Sequence, residues 1–253
     1  MITFSLQSGS NGNCIYVEAG NVRLLFDAGI SGRQAAMRLA DYGRDIRNVT
    51  ALIISHEHRD HICSAGVFQR KFGFPIYVTR ATWRATPDPL GPVTDVRPFT
   101  AGGRIEFDGV TVHTIKTPHD AVDGTAFIVE HERKRLGILT DLGHPFRSLQ
   151  NLFTELDAAY LESNYDPEML EAGSYPAWLR DRIRGDRGHL ANPEAARLVR
   201  RARSKRLQWV ALAHLSEENN NPELAVDTHR ATVGRMLPLY VAGRYGLSEL
   251  LNV

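Results

Sequence analysis

The stretch Ile54–His61, "ISHEHRDH", sets three histidines and an aspartate within six residues, directly after the apolar run "VTALII" at 49–54. A continuous apolar run of this length reads as a strand buried on both faces. A helix through the stretch would put His56 and Asp60 on one face. A loop leaving a buried strand lets several side chains converge on one point. Imidazole and carboxylate donors together suit borderline divalent cations, zinc first and also manganese or iron. Four donors so close together exceed what one tetrahedral ion takes from so tight a loop. The stretch therefore points to two ions side by side.

Further donors are expected at other strand ends. His119 follows a strand in "TIKTPHDA", Asp141 closes the apolar run of "LGILTDLG", and His214 closes that of "WVALAHLS". Asp141 is the best candidate for a carboxylate shared by two cations. One such histidine alone would more often be a satisfied core residue; three such positions together with the opening cluster point to a metal site.

Working outward, the first half reads as strands and turns: "MITFSLQ" (1–7), "NCIYVEA" (13–19) and "VRLLFDAG" (22–29), with "SGSNG" and "AGN" between them. Helical periodicity marks 31–43, with Ser31 as cap, and 65–73; "PIYVT" (75–79) is a strand. The segments 103–117 and 124–141 return to strand patterning, with a hairpin at "DGV" (108–110). Then helix at 148–157, strand at 158–163, helix at 191–205, strand at 207–214 and helix at 221–237 are expected. For the helix at 191–205, Asn192 reads as the cap and Pro193 as the first residue, with Ala195, Leu198, Val199 and Ala202 as the buried stripe. This alternation without a linker predicts an α/β fold, one domain over residues 1–253, built from two sheets and outer helices.

Composition adds bounds. With 253 residues, 43% hydrophobic and 23% charged, the chain has material for a packed core. The two cysteines, Cys14 and Cys63, make no disulfide framework. The start lacks the basic and apolar regions of a signal peptide, and no apolar run is long enough for a membrane span, so a cytoplasmic protein is expected. The net charge of +1 excludes neither an anionic nor a cationic partner, but charge is unevenly spread. Between Arg180 and Arg206 lie ten basic residues and three acidic ones. A basic strip of this kind suits a polyanion. Arg182, Arg184 and Arg187, read as lying in the loop that leads to His189, are its candidates for nucleic-acid contact. No interleaved aromatics of a single-strand stacking platform are evident.

The set "HEHRDH", "PHD", "TDLG" and "AHLS" resembles the metallo-β-lactamase fold superfamily. The stretches "SGSNGNCIYVE", "LLFDAGIS", "ESNYD", "GDRGHLAN" and "AHLSEENNNPELA" make it most similar to the YycJ/WalJ-like branch of bacterial phosphodiesterases. The resemblance implies a four-layer αββα sandwich with a di-metal site at the sheet edge. It implies that His56, His58 and His119 hold one ion, that Asp60, His61 and His214 hold the other, and that Asp141 bridges them. Asp27, in "LLFDAG", would stand behind a ligand histidine and fix its orientation. His58 stands where diiron oxidoreductases of the fold carry Glu, and neither cysteine matches the β-lactamase cysteine ligand, so hydrolysis is favoured over redox chemistry or β-lactam cleavage.

By the same likeness, His189 in "RGHLANPE" would contact the scissile phosphate or protonate the leaving oxygen, and Asp60 and His189 are the residues expected in the catalytic role. Two departures stand out: Tyr165 replaces a usual His in "ESNYD", and Ala191 replaces a usual Ser in "GHLAN". Of the other histidines, His113, His131, His144 and His229 read as structural. The expected activity is that of a metal-dependent phosphodiesterase on nucleic acid, with DNA as the expected partner, in the resembling branch a 5′-to-3′ exonuclease with two divalent ions, zinc or manganese, with iron also compatible. A thioester or lactone hydrolase of the same fold would need neither His189 nor the basic strip. A binding protein with structural ions would need closed sites rather than seven ligands with open positions.

Overall fold

The computed structural model describes residues 1–86, 90–202 and 204–253, the side chain of Ala202 excepted. Strand propensity and glycine turns make β1 (Ile2–Gln7), β2 (Cys14–Ala19) and β3 (Val22–Phe26) an antiparallel meander. Ser31 then caps α1 (Gly32–Asp41) in a reciprocal arrangement with Gln34. The chain returns through β4 (Ala51–Ile53), parallel to β3. Next come α2 (Arg59–Ile62), α3 (Ala65–Phe72), β5 (Ile76–Thr79), α4 (Arg80–Ala85) and β6 (Val96–Phe99). The second sheet begins as hairpins, β7 (Arg104–Phe107), β8 (Val110–Lys116), β9 (Thr125–His131) and β10 (Lys134–Leu139). It continues in parallel through α5 (Arg147–Phe153), β11 (Ala158–Glu162), α6 (Pro167–Ala172), α7 (Ala177–Arg184), α8 (Asn192–Ala202), β12 (Trp209–Ala213), α9 (Pro222–Val233) and β13 (Leu239–Val241). The last strand, β14 (Leu251–Asn252), crosses back to pair with β1.

Among the described residues each sheet has seven strands, in the orders β14-β1-β2-β3-β4-β5-β6 and β13-β12-β11-β10-β9-β8-β7. The inner faces meet through Ile15, Val17 and Phe26 on one side and Phe127, Val129 and Tyr160 on the other. Leu39 and Phe68 seal the outer face of the first sheet, and Phe153, Leu198 and Val199 that of the second. The result is the helix–sheet–sheet–helix sandwich. Burying side chains of this size stabilises the fold by roughly 1.5–3 kcal/mol each, before chain entropy is set against it. No helix of the described residues is long and apolar enough to cross a membrane.

Several sequence expectations are corrected. Arg182 and Arg184 lie on α7, not in a loop; only Arg187 follows it. Asn192 is the first residue of α8 rather than its cap. Its Oδ1 accepts from Ser163 Oγ and Asn220 Nδ2, so it serves a buried network instead of the helix end. Ala195, Leu198 and Val199 are buried as the stripe requires, while the Ala202 side chain falls outside the described residues. The strands β6, β13 and β14 were not anticipated; each is at a sheet edge and two are three residues or shorter.

Candidate metal centre

The site lies where strands end. Asp27 follows β3, His56 follows β4, His119 follows β8, Asp141 follows β10, Glu162 closes β11 and His214 follows β12. Because β10, β11 and β12 run parallel, their carboxyl ends share one edge of the sheet. Asp27, Asp141 and His214 have φ of 65°, 56° and 55°. The left-handed region costs a non-glycine residue roughly 1 kcal/mol or more. At these three strand ends it turns the chain sharply where a side chain must enter the site.

The opening stretch is half loop, half helix. His56 and Glu57 lie in the loop after β4, His58 sits at the amino end of the one-turn α2, and Asp60 and His61 lie within it. Backbone bonds stitch this turn to its neighbours: Asn13 N donates to Asp60 O at 2.8 Å, Ala28 N to His61 O at 2.7 Å, and Gly29 N to Asn13 O at 2.9 Å. Gly29 is required there, since a Cβ would lie 1.7 Å from Asp60 O.

The imidazoles are oriented by hydrogen bonds from behind. His61 Nδ1–H donates to Asp27 Oδ2 at 2.7 Å. Ser55 donates its N–H to Asp27 Oδ1 and its hydroxyl to Oδ2, so its Oγ is left to accept from His56 Nδ1–H at 2.9 Å. His119 Nδ1–H donates to Gly188 O at 2.9 Å. In all three rings the Nε2 lone pair is thereby turned inward, the arrangement that suits a metal ligand. His214 is held through its backbone, its N–H on Ser8 Oγ and its carbonyl accepting from Asn164 Nδ2.

The inward atoms form two groups. On one side His56, His58 and His119 each bring a ring nitrogen within 4.8 Å of the others, and on the other side a carboxylate oxygen of Asp60 and ring nitrogens of His61 and His214 lie equally close. Asp141 lies between. Its Oδ1 is 3.7 Å from His119 Nε2 and 3.6 Å from His214 Nε2, and its Oδ2 is 3.3 Å from His61 Nε2. His56 Nε2 and Asp141 Oδ2 are buried and have no hydrogen-bond partner among the described residues. Buried polar atoms are rarely left so. The donor set, the inward lone pairs and these orphaned atoms fit divalent cations.

The charges interlock. Burial pushes the carboxyl of Asp141 up, but His214, His61, His56 and His119 outweigh it and hold it well below the usual range. Burial pushes His61 down, but Asp141, Asp60 and Asp27 hold it well above the usual imidazole value. Burial and the neighbouring His61 keep His56 low and neutral, and burial also lowers His119.

His189 reaches the same centre from the loop between α7 and α8, with Nδ1 3.8 Å from Asp141 Oδ1. It belongs with Asp141, Glu162 and His214 in a third cluster of donor atoms. Burial lowers its pKa, yet the carboxylate of Glu162, 2.6 Å away, together with Asp141 and Asp60, outweighs burial and lifts it to about 9. Glu162 is fully buried and its Oε2 accepts from Leu142 N and Leu190 N, so the pair is rigid.

Sequence reasoning missed Glu162, Ser55 and Asp120. Glu162 stood in "ESNYD" as the end of an apolar strand, the same signal that marked Asp141. Asp120 follows His119; its Oδ1 is 3.2 Å from His119 Nε2 and its Oδ2 accepts from Arg182 Nε at 2.5 Å. The basic strip is partly spoken for: Arg184 pairs with Asp181 and Glu171, and Arg187 reaches His119 O. Tyr165 is buried against Leu170 and Ala191, away from solvent. His113 pairs with Glu130, His131 with Gly109 O, and His144 Nδ1–H donates to Asp186 O, while His229 is buried in α9. A cleft of about 250 Å³ opens beside Asp60, lined by Ser10, Asn11, Gly29, Arg59 and Cys63.

Comparison with known proteins sets these features in a family context. The family model described as Metallo-beta-lactamase superfamily matches residues 8–200. Exodeoxyribonuclease WalJ of Streptococcus pneumoniae is 36% identical over 224 residues, covering 87% of this chain and 83% of that protein. Exodeoxyribonuclease YycJ of Bacillus anthracis is 34% identical over 222 residues, covering 87% and 84%. Among solved structures, Zn(2+)-bound PqqB from Methylobacterium extorquens superposes with a TM-score of 0.75 over the full length of both chains, at 16% identity.

Proposed function

The chain belongs to the metallo-beta-lactamase superfamily, in the branch of the exodeoxyribonucleases WalJ and YycJ, and on that premise we propose that this metal-dependent hydrolase is a phosphodiesterase that removes nucleotides from DNA in the 5′-to-3′ direction. In this reading His56, His58 and His119 hold one cation, Asp60, His61 and His214 hold a second, and Asp141 holds both. Zinc and manganese suit the donors, and iron is compatible with them. When bound, such cations supply electrophilic activation of a phosphoryl oxygen and an acidified water. Asp27 and Ser55 fix the ligand rings; Asp60 turns inward from α2.

The observation that carries the phosphodiester reading is His189. It is outside the proposed ligand set, faces the same centre, and is kept protonated by Glu162. A protonated imidazole placed there donates its proton to the leaving alkoxide of a phosphodiester. A thiolate leaving group needs no such help. Arg182 and Arg184 on α7 and Arg187 after it are the guanidinium groups that would meet a phosphate backbone.

The reading takes residues 1–253 as one hydrolase unit. The family match stops at residue 200, yet β12 and β13 complete the second sheet and β14 pairs with β1, so the segment after residue 200 supports both sheets. A DNA substrate, as the names of the bacterial relatives give it, also supports a cytoplasmic enzyme.

The test is a substrate panel. The metal-loaded chain is incubated with 5′-phosphorylated duplex DNA, single-stranded DNA, RNA and a thioester, beside His61→Ala and His189→Ala variants. Release of mononucleotides from DNA by the parent, lost in His61→Ala, is expected. Turnover of the thioester with no cleavage of any nucleic acid sinks the proposal and favours a small-molecule hydrolase.

A further inference from the structure

The helix α7 has no buried residue, yet it is fixed beside the metal centre. Arg180 Nη1 donates to Glu171 O at 2.8 Å, His189 N donates to Ile183 O at 2.9 Å, and Arg182 reaches Asp120, whose other oxygen is 3.2 Å from His119 Nε2. Trp178 lies four residues before Arg182, so the two share a face of the helix. The indole is 67% exposed and has no hydrogen-bond or ring partner among the described residues. A side chain this large and apolar is ordinarily covered, because leaving it in water forgoes much of its burial energy. Its surroundings do not suit an apolar partner. Arg180, Arg182, Arg184 and Arg187 are in or just beyond the helix, against Asp181 and Asp186, and Ile183 is turned inward onto the cluster of Tyr165 and Leu170. One flat ring among arginines, beside a hydrolytic centre, is instead the composition of a site for an unpaired nucleotide: the ring meets the base and the guanidinium groups meet the phosphates.

We propose that Trp178 stacks on an unpaired base of the DNA strand entering the metal centre, so that α7 is the platform that positions the strand. Trp178 lies just before the Arg180–Arg206 strip, which itself carries no interleaved aromatics. The inference rests on the nucleic-acid reading of the site.

The experiment measures binding of metal-loaded protein carrying His189→Ala, which slows turnover, to a 5′-phosphorylated single-stranded oligonucleotide by fluorescence anisotropy. A matched set of oligonucleotides carries one abasic position, moved stepwise along the strand. The parent is expected to bind at least about tenfold more weakly when the abasic position falls at the platform. Adding Trp178→Ala is expected to weaken the intact strand by a similar factor and to abolish the discrimination, while Trp178→Phe retains most of both. Equal binding by the parent and Trp178→Ala, with abasic discrimination intact or absent in both, overturns the inference. In that case cleavage of DNA by the wild type leaves the nuclease reading standing. If the parent binds no oligonucleotide more tightly than inorganic polyphosphate, both fall together. Since Trp178 is exposed, thermal denaturation of the variants is expected to match the parent, and it verifies that lost binding is not lost folding.

Discussion

Asp27 illustrates how one side chain can set several others. Its two oxygens accept from Ser55 N, Ser55 Oγ and His61 Nδ1, and through Ser55 it also sets the tautomer of His56. Ser55→Ala is therefore expected to weaken metal binding about 10- to 100-fold, measured by competition with a chromogenic chelator, with the fold retained. At His189 the sign of the pH dependence follows from Glu162. The metal-free imidazole is protonated below about 9, and bound cations push that value down, so activity that depends on the proton falls in a limb at or below about 9. His189→Ala is expected to lower kcat by about 10²–10⁴ and to remove the limb, with metal content unchanged. Glu162→Gln is expected to move the limb to lower pH, because the charge that raises His189 is gone. A pH–rate profile of the three proteins measures both. At this scale the sequence was informative where residue type narrows chemistry. His56, His58, Asp60, His61, His119, Asp141 and His214 are brought to one place. Ser55 was silent, since a serine after a strand carries no distinguishing signal, and Glu162 was masked by the apolar strand that it closes.

At the scale of elements, the strand ends and the turn at Gly29 decide whether these residues meet. A methyl at Gly29 would collide with Asp60 O, and that atom also accepts from Asn13 N, so it cannot retreat freely. Gly29→Ala is expected to destabilise the fold by about 1–3 kcal/mol or more, read as a lower urea midpoint, and to lower metal content with it. The helix α9 carries a separate prediction. His229 is buried, its Nε2 meets Ser163 Oγ at 3.2 Å, and burial pushes its pKa down to about 4. A neutral His229 thus contributes stability that is present above its ordinary value near 6.5 and is lost as pH falls through about 4. The full difference is about 3 kcal/mol. His229→Leu is expected to flatten that part of the urea-stability profile between pH 7 and 4. Long periodic elements were legible: β1 to β3, α1, α8 and α9 fall where patterning places them. The edge strands β6, β13 and β14 were not, because two to four residues carry no clear period and their pairing is decided by distant partners. The helix α7 was missed for a related reason, as none of its residues is fully buried and Ile183 alone is too little of an apolar stripe to read.

Across the whole molecule, the two-sheet sandwich places six strand ends at one edge and leaves a basic helix beside them, although the net charge is only +1. Local charge, not net charge, then governs attraction of a polyanion. Oligonucleotide affinity is expected to fall linearly in log–log form with salt, and Arg184→Ala to reduce the slope by about one unit. Removing the cations is expected to lower the melting temperature, since any ligand of the folded state adds to its stability by mass action. The central claim, a metal-dependent exonuclease acting from 5′ ends, is tested most directly with one duplex labelled at either end. Metal-free protein is mixed with each substrate, and product length is followed after manganese or zinc is added. The expected result is no cleavage before addition, then immediate release of the 5′ label as a mononucleotide while the 3′-labelled strand shortens progressively. Cleavage without metal, or a 3′ label released first, would contradict it.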